Sequence, residues 1–411
     1  MVSATRSTDI VIIGAGAVGL SLAIDCLMST PLKVTVVEGR EPNPVKADCH
    51  RLDMRCLALA DQSYQYLKTL LAKVPNIEAN PISNIQVSDR GFVGKCHLNS
   101  ADLGCQQLGV VTPIERIGQA LFERFSELKE RFSDRLHWSC PHRIESIQSQ
   151  QDTLYLHMDD GSRLASQLVV FADGGRSPVV KTMGFESYVK NYKQTAVVAN
   201  VVCEQNHNNW AYERFTQSGP LALLPMASED FSIRKEQGVF SLVWSCPSDQ
   251  GEFIDALCKD DDYFLKTLAD HAGARHGRFL KTSARSQYPL KLSMLKQVSG
   301  HRCVAVGNAA QTLHPIAGQG LNLGLRDVQA LVDMLKTCPL DSLGDWQFTH
   351  QYSQRRSADR ELITSSTDAL VHCFSNHHWP LVLGRNFGLL AMNKLGWVRQ
   401  QLARRAMGYG L

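Results

Sequence analysis

The stretch Asp9–Glu41, "DIVIIGAGAVGLSLAIDCLMSTPLKVTVVEGRE", decides how the rest of the chain is read. Ile10–Ile13 is a continuous apolar run, as expected of a parallel strand buried on both faces. Gly14, Ala15, Gly16, Ala17, Val18 and Gly19 follow in a GxGxxG pattern. An apolar helix then runs to about Met28, and a second apolar strand, Lys33–Val37, ends on Glu38 and Gly39. Each residue type has a physical task. Gly14 permits a tight turn, Gly16 lets a pyrophosphate approach the backbone, and Gly19 lets helix and strand pack closely. The helix start at Ala17 and Val18 offers unpaired N–H groups to phosphate. Glu38 can accept a hydrogen bond from a ribose hydroxyl. A glycine-rich turn with no ligand would leave Glu38 unexplained. The pattern points to a dinucleotide and does not choose between FAD and NAD.

Two further segments narrow the choice. Leu168–Phe185, "LVVFADGGRSPVVKTMGF", reads as a strand ending at Ala172, Asp173 and Gly174, then a polar turn and a helix start. Val304–Leu335, "VAVGNAAQTLHPIAGQGLNLGLRDVQALVDML", opens as a short strand and closes as a helix, with Leu325, Val328, Leu331 and Leu335 at helical spacing. Between them lies a glycine-rich loop with no charged residue before Arg326. Strand-to-helix connections are usually about 2–6 residues long. This longer loop is expected to wrap around something.

In order and spacing, the three segments resemble the fingerprints of the single-component FAD-dependent aromatic hydroxylases, the p-hydroxybenzoate hydroxylase-like family. The resemblance covers nearly the whole chain. "DMRCLALADQSYQYL" (Asp53–Leu67) and "GPLALLPM" (Gly219–Met226) are similar to that family's ubiquinone-biosynthesis branch. The resemblance implies FAD as cofactor, O2 as co-substrate and NAD(P)H as a transient electron donor. It implies hydroxylation of the aromatic ring of a polyprenylated (methoxy)phenol through a C4a-hydroperoxyflavin. No second GxGxxG follows a strand, so a separate reductase stays open as the donor. Two alternatives also stay open: a flavin hydroxylase of a soluble phenol, and a non-catalytic flavin-bound scaffold in a biosynthetic complex. An NAD-dependent dehydrogenase is disfavoured by the second and third segments.

The resemblance also assigns residues. Arg55, expected in an amphipathic helix, would reach the cofactor's phosphate or ribityl chain; the alternative is a solvated arginine. Asp173 and Gly174 would meet the cofactor, although an Asp-Gly pair often only caps a turn. Pro315 would lie beside the isoalloxazine ring, and Ala317, Gly318, Gln319 and Gly320 would bring backbone close to it. Asn322 and the helix start would point N–H groups at the pyrimidine end of the ring. Asn308 stands where most of the family has Asp, and Gln311 where it has His. Asn308 keeps an acceptor oxygen without the charge. His314 is the one candidate for acid–base work, and a structural role is the more ordinary reading of a histidine before proline. No base for the phenol proton is evident.

The bulk properties bound the answer. A chain of 411 residues suggests two domains or one large domain with insertions. With 44% hydrophobic and 20% charged residues it reads as soluble and globular. A net charge of +3 argues against nucleic acid as a partner. The 12 cysteines form no CxxC pair and read as reduced thiols of a cytosolic protein. His137/Cys140/His142 and His377/His378 lack a second ligand pair at zinc spacing, so no metal is expected. The polar start "MVSATRST" reads as lacking a signal peptide. The apolar run Ile10–Ile24 is too short to span a membrane and ends at Asp25.

The fold class read from these patterns is α/β (α+β overall). A discontinuous Rossmann-like FAD-binding domain occupies residues 1–80, 105–185 and 290–340, and an antiparallel-sheet substrate domain occupies 81–104 and 186–289. A helical region covers 341–411. In it, Phe387, Leu390, Ala391, Leu395, Val398 and Leu402 share one helix face, with Arg385, Lys394, Arg399, Arg404 and Arg405 elsewhere. Such a helix suits packing on its own protein, on other ubiquinone-biosynthesis proteins, or on an anionic membrane surface. The expected location is the bacterial cytoplasm, with peripheral contact to the inner membrane left open.

Overall fold

The computed structural model describes residues 5–42, 55–72, 77, 79–92, 94–227, 233–313, 318–374, 386 and 396–409. Its first sheet is built outward from Thr5–Ile13. That strand pairs in parallel with Val34–Val37 on one side and Arg163–Phe171 on the other. Leu136–Ser139 and Cys303–Ala305 extend the parallel run at the two ends, and the hairpin Ile144–Gln150/Thr153–Met158 and the short Ser299–Gly300 beside Cys303–Ala305 add antiparallel strands to complete eight. Ile10, Val11 and Ile12 are fully buried, because helices cover both faces of a parallel sheet. The Ala17–Ser29 helix packs between Ile114–Arg131 and Gln319–Leu335.

The second sheet has nine strands. Ser187–Cys203, Trp210–Thr216, Gly219–Met226 and Gly238–Pro247 form its antiparallel centre, and Asn84–Asp89 joins in parallel beside Trp210–Thr216. Their alternation divides the side chains between two faces. Leu221, Leu223, Phe240, Leu242 and Trp244 lie under the helices Gly251–Lys259 and Asp261–Ala272. Ile85, Ala211, Leu224, Met226 and Val239 face the other way. They pack towards a small third sheet of Cys56–Ala60, Asn80–Ile82 and Gly109–Pro113.

Three placements differ from the sequence reading. Arg55 is not helical. Cys56–Ala60 is a strand paired with Gly109–Pro113, and the helix starts only at Asp61. The alternating CLALA sequence finds a strand partner, which overrides the helical pattern around it. Ser286–Leu295 pairs with Ser187–Cys203, so residues 290–295 belong to the nine-stranded sheet. Gln311–Thr312 pairs with Met294 and Ser293, which ties the third glycine-rich segment to both large sheets.

Beyond residue 340 the described helices are Trp346–Phe374 and Gly396–Ala406. His377, His378, Arg385, Phe387, Leu390, Ala391, Lys394 and Leu395 lie outside the described residues. Among the described residues no helix is long and apolar enough to cross a membrane. The described cysteines, from Cys26 to Cys338, are free thiols.

Candidate functional site

The three glycine-rich segments meet at the ends of the central parallel strands. In the first, two glycines answer to the protein itself. Gly14 has φ +105°, and a Cβ there would sit 2.6 Å from Asp173 Cα. A Cβ on Gly19 would sit 2.0 Å from the Gly14 carbonyl oxygen. Gly16 differs: its φ of −70° suits any residue, and a Cβ there would meet nothing within 4 Å. The protein leaves that side of the loop clear, beside the start of the Ala17–Ser29 helix. Glu38 Oε2 accepts from Ala15 N at 2.8 Å and Oε1 from Arg40 N at 3.1 Å. The carboxylate therefore holds the loop in place and keeps lone pairs to spare. The Val18 side chain has a task of its own. Its methyls lie where a Cβ on Gly307 or Gly324 would fall, at 3.0 and 2.8 Å. It packs the first segment onto the third.

In the second segment Asp173 caps its own turn. Oδ1 accepts from Gly175 N at 3.0 Å and Oδ2 from Ser177 N at 2.5 Å, around Gly174 and Gly175, both left-handed. Asn308 stands across from this turn, its Cβ 4.0 Å from the Cβ position of Gly174. Its Oδ1 lies 3.9 Å from that of Gly320. Among the described residues no partner meets the exposed Asn308 amide. Gly39 is backed by Arg143, whose Cγ would be 3.1 Å from a Cβ there.

In the third segment Gly318 is left-handed and leads into the Gln319–Leu335 helix. A Cβ on it would meet the Ala58 carbonyl at 3.1 Å. The Asn322 side chain is taken up by this junction. Oδ1 accepts from Ala60 N at 2.8 Å, and Nδ2 donates to Gly318 O at 2.7 Å and Ala58 O at 3.1 Å. Asn322 is a positioning residue that pins the helix start to Cys56–Ala60. His314, Pro315 and Ala317 lie outside the described residues. Arg55 is exposed, its Nη1 3.4 Å from the Tyr288 hydroxyl and its Nε 3.9 Å from Glu115. Glu115 Oε2 beside it is buried with no hydrogen-bond partner.

The sequence reading missed what stands behind the third segment. Asp327 Oδ2 accepts from Gly307 N at 3.0 Å and from Gln311 Nε2 at 2.8 Å, while Oδ1 accepts from Arg356 Nε at 2.7 Å. Asp359 joins Arg326 and Arg356 at 2.8 and 2.6 Å, and Arg360 donates to Gln311 Oε1 at 2.7 Å. All of these side chains are buried. Burial pushes the Arg356 guanidinium down, but Asp327 and Asp359 outweigh it and hold the group above its ordinary value. Arg360 has no carboxylate of its own in these bonds, and burial leaves it below its ordinary value. Gln311 is thus a bridge between Asp327 and Arg360, donating to one and accepting from the other. The uncharged loop at the front is braced by charge at the back.

Of the histidines flagged by spacing, His377 and His378 lie outside the described residues, and His142 stands beside Asp159 and Asp160. His142 Nδ1 lies 3.3 Å from Asp159 Oδ1, while the Cys140 thiol donates to Arg40 O at 3.4 Å.

The residues fit a flavin dinucleotide on three observations. Open space adjoins the Gly16 backbone, the Asn308 amide is exposed between two glycine turns, and Glu115 offers a buried acceptor without a donor. Comparison with known proteins agrees. Residues 7–366 match the family described as FAD binding domain. A ubiquinone hydroxylase, UbiL, of Rhodospirillum rubrum is 32% identical over 99% of this chain and 91% of its own. The 3-demethoxyubiquinol 3-hydroxylase of Escherichia coli is 29% identical over 98% and 99%. In fold, the chain is similar to p-nitrophenol 4-monooxygenase PnpA from Pseudomonas putida, with a TM-score of 0.76 at 14% identity, covering 99% of this chain and all of that one. Glycine loops, bracing network and relatives point the same way: this chain belongs to the FAD-binding-domain family of FAD-dependent hydroxylases.

Proposed function

We propose that the chain hydroxylates the aromatic ring of a polyprenylated phenol in ubiquinone biosynthesis, using O2 and electrons from NAD(P)H. The observation that carries this reading is the meeting of three glycine-rich segments opposite the apolar inner face of the nine-stranded sheet. That face has the character a prenyl-bearing ring needs, and two relatives act on ubiquinone or its precursors by name.

When bound, FAD supplies the activation of O2 and the delivery of one oxygen atom to the ring. This chain's residues supply placement and dryness. The helix start at Ala17 and Val18 would take the pyrophosphate, and Glu38 and Glu115 would accept from hydroxyls. Arg55, Asp173, Gly174 and Asn308 would line the remaining length. Gly318, Gln319 and Gly320 would bring backbone against the ring, held there by Asn322. The uncharged front of the third segment keeps water from the reacting ring. On this reading the two discontinuous domains share the work, cofactor on one and substrate cover on the other. The helical tail would meet a membrane surface or a partner protein.

The test is an absorption spectrum of the purified protein, then anaerobic NADPH with and without a prenylated methoxyphenol. Bound flavin that bleaches faster with the phenol present, followed by a hydroxylated product in air, is the expected result. Protein that takes up no FAD overturns the reading.

A further inference from the structure

One face of the nine-stranded sheet carries an acid that none of the described side chains pairs. On Trp210–Thr216, Tyr212 packs into the cluster beneath the covering helices, and Arg214 lies 3.7 Å from the Cβ position of Gly273 on that same side. Arg275 is there too, over the Tyr212 ring at 5.9 Å. Strand alternation therefore puts Ala211, Glu213 and Phe215 on the opposite face. Ala211 packs there with Leu224, Met226, Val239 and the Ala58 side chain. Ala58 is the residue whose carbonyl and Cβ lie against Gly318. That face looks towards the third glycine-rich segment.

Glu213 is an acid in an apolar row. It lies opposite Val87 on one side and Ala222 on the other, and Ala222 lies opposite Val243, itself opposite Val198. It is half-buried, and among the described residues no donor or cation meets its carboxyl group. The nearby Arg214 and Arg275 serve the far face. A carboxylate withdrawn from water without a partner costs stability unless something else uses it. Burial pushes the Glu213 carboxyl up to about 7.

Resting on the hydroxylase reading, we propose that Glu213 is the catalytic base that accepts the hydrogen bond, and then the proton, of the substrate's ring hydroxyl. A base is most useful when its proton affinity lies near the working pH, and an ordinary exposed carboxylate is too weak. The phenol O–H bond breaks and a carboxyl O–H bond forms, with no change of oxidation state in that step. The electron pair left on the phenol oxygen enriches the ring carbon that is attacked. The reductant and oxidant remain NAD(P)H and O2. The carboxyl proton returns to the product oxygen as the ring recovers its aromaticity, and the proton lost from the attacked carbon leaves with the second oxygen atom of O2 as water.

The test uses full-length FAD-loaded protein and a prenylated 2-methoxyphenol labelled with carbon-13 at the hydroxyl-bearing carbon. In oxidised protein without NADPH, the bound label should resonate downfield of the free phenol, as a strong hydrogen bond to a carboxylate requires. Glu213→Gln should return it towards the free position with the phenol still bound. In turnover, kcat should fall about 100-fold with KM nearly unchanged, and Glu213→Asp should recover part of the loss. An unshifted label in the unaltered protein, or Glu213→Gln turnover within about threefold, a small share of what a positioned base contributes, overturns the assignment alone. Should Glu213→Gln not fold, the unaltered protein's spectrum and Glu213→Asp decide by the same criteria. Unaltered protein that binds FAD but neither binds nor hydroxylates the phenol overturns the hydroxylase reading and this assignment together.

Discussion

The first and third glycine-rich segments do similar work by different means. At Gly14–Gly19 the shape is imposed by backbone on backbone. Two glycines exist because any side chain would strike the main chain at 2.6 or 2.0 Å, and the third faces open space. At Gly307–Gly320 the approaches are looser, 3.0 Å to a Val18 methyl and 3.1 Å to the Ala58 carbonyl. Order there comes from Asp327 on Gln319–Leu335 and from Arg356 and Arg360 on the Trp346–Phe374 helix, which together brace the loop through Gln311. A loop fixed by backbone contact is rigid through its own sequence. A loop fixed by a buried ionic network depends on residues far along the chain.

The largest effect should come from Gly19→Val. Its side chain has no route around the Gly14 carbonyl, so the Ala17–Ser29 helix would have to leave the sheet. Overpacking usually costs about 1–3 kcal/mol and more where backbone must move. We expect no soluble folded protein, read by circular dichroism and gel filtration. A folded Gly19→Val that still binds FAD would end the claim that backbone contact sets this loop.

Next comes Asp327→Ala. It strands Gly307 N, Gln311 Nε2 and Arg356 Nε in a buried place and leaves Asp359 as the carboxylate paired with that guanidinium. Removing one member of a buried ion pair costs about 3–5 kcal/mol. Urea unfolding of the apoprotein should show that loss while a folded remainder keeps its parallel sheet. A change below about 1 kcal/mol, the scale of an exposed pair, would mean that the network does not brace the loop.

This contrast tracks what the sequence made legible. The parallel strand, the GxGxxG turn and Glu38 are local: spacing alone implies them, and the register Ile10–Val34 to Ile13–Val37 follows. The alternating strands of the second sheet were legible for the same reason. Arg55 was misplaced because a five-residue strand whose partner lies some fifty residues away looks like the start of the helix behind it. The bracing task of Asn322 was hidden, because nothing in its neighbours shows that Ala58 and Ala60 will take its amide. The Asp327 network was invisible, since a charged residue in a helical pattern usually reads as solvated. Glu213 was hidden within a plain strand, and only the division of the sheet into two faces brings it out.

Gly16→Ala should sharpen the comparison from the ligand's side. The backbone at Gly16 suits any residue and no protein atom is near. Stability of the apoprotein should change by no more than about 1 kcal/mol, the scale of a helix-cap substitution. FAD affinity should fall at least about tenfold, which is about 1.4 kcal/mol, because the methyl stands where phosphate would approach. Urea unfolding and flavin fluorescence titration give the two numbers. Destabilisation with unchanged FAD affinity would reverse the assignment, making Gly16 a packing glycine like Gly14 and Gly19.

The smallest effect separates a ligand contact from a spacer in the third segment. Asn308→Asp adds a charge between the left-handed Gly174–Gly175 turn and the helix that begins at Gln319. The start of that helix favours negative charge by about 0.3–1 kcal/mol at exposed positions. A carboxylate also accepts hydroxyl donors at least as well as the amide oxygen it replaces. Both arguments have one sign, so FAD affinity should rise, by up to about fivefold, the upper end of that electrostatic range. The rise should shrink in high salt, because the site is exposed and ions screen it. Binding that weakens clearly would mean that the amide's N–H, which Asp lacks, is the group that meets the cofactor. Binding that stays fixed at every salt concentration would place Asn308 outside contact altogether. In that case the third segment would hold the flavin through its backbone alone, braced from behind by Asp327.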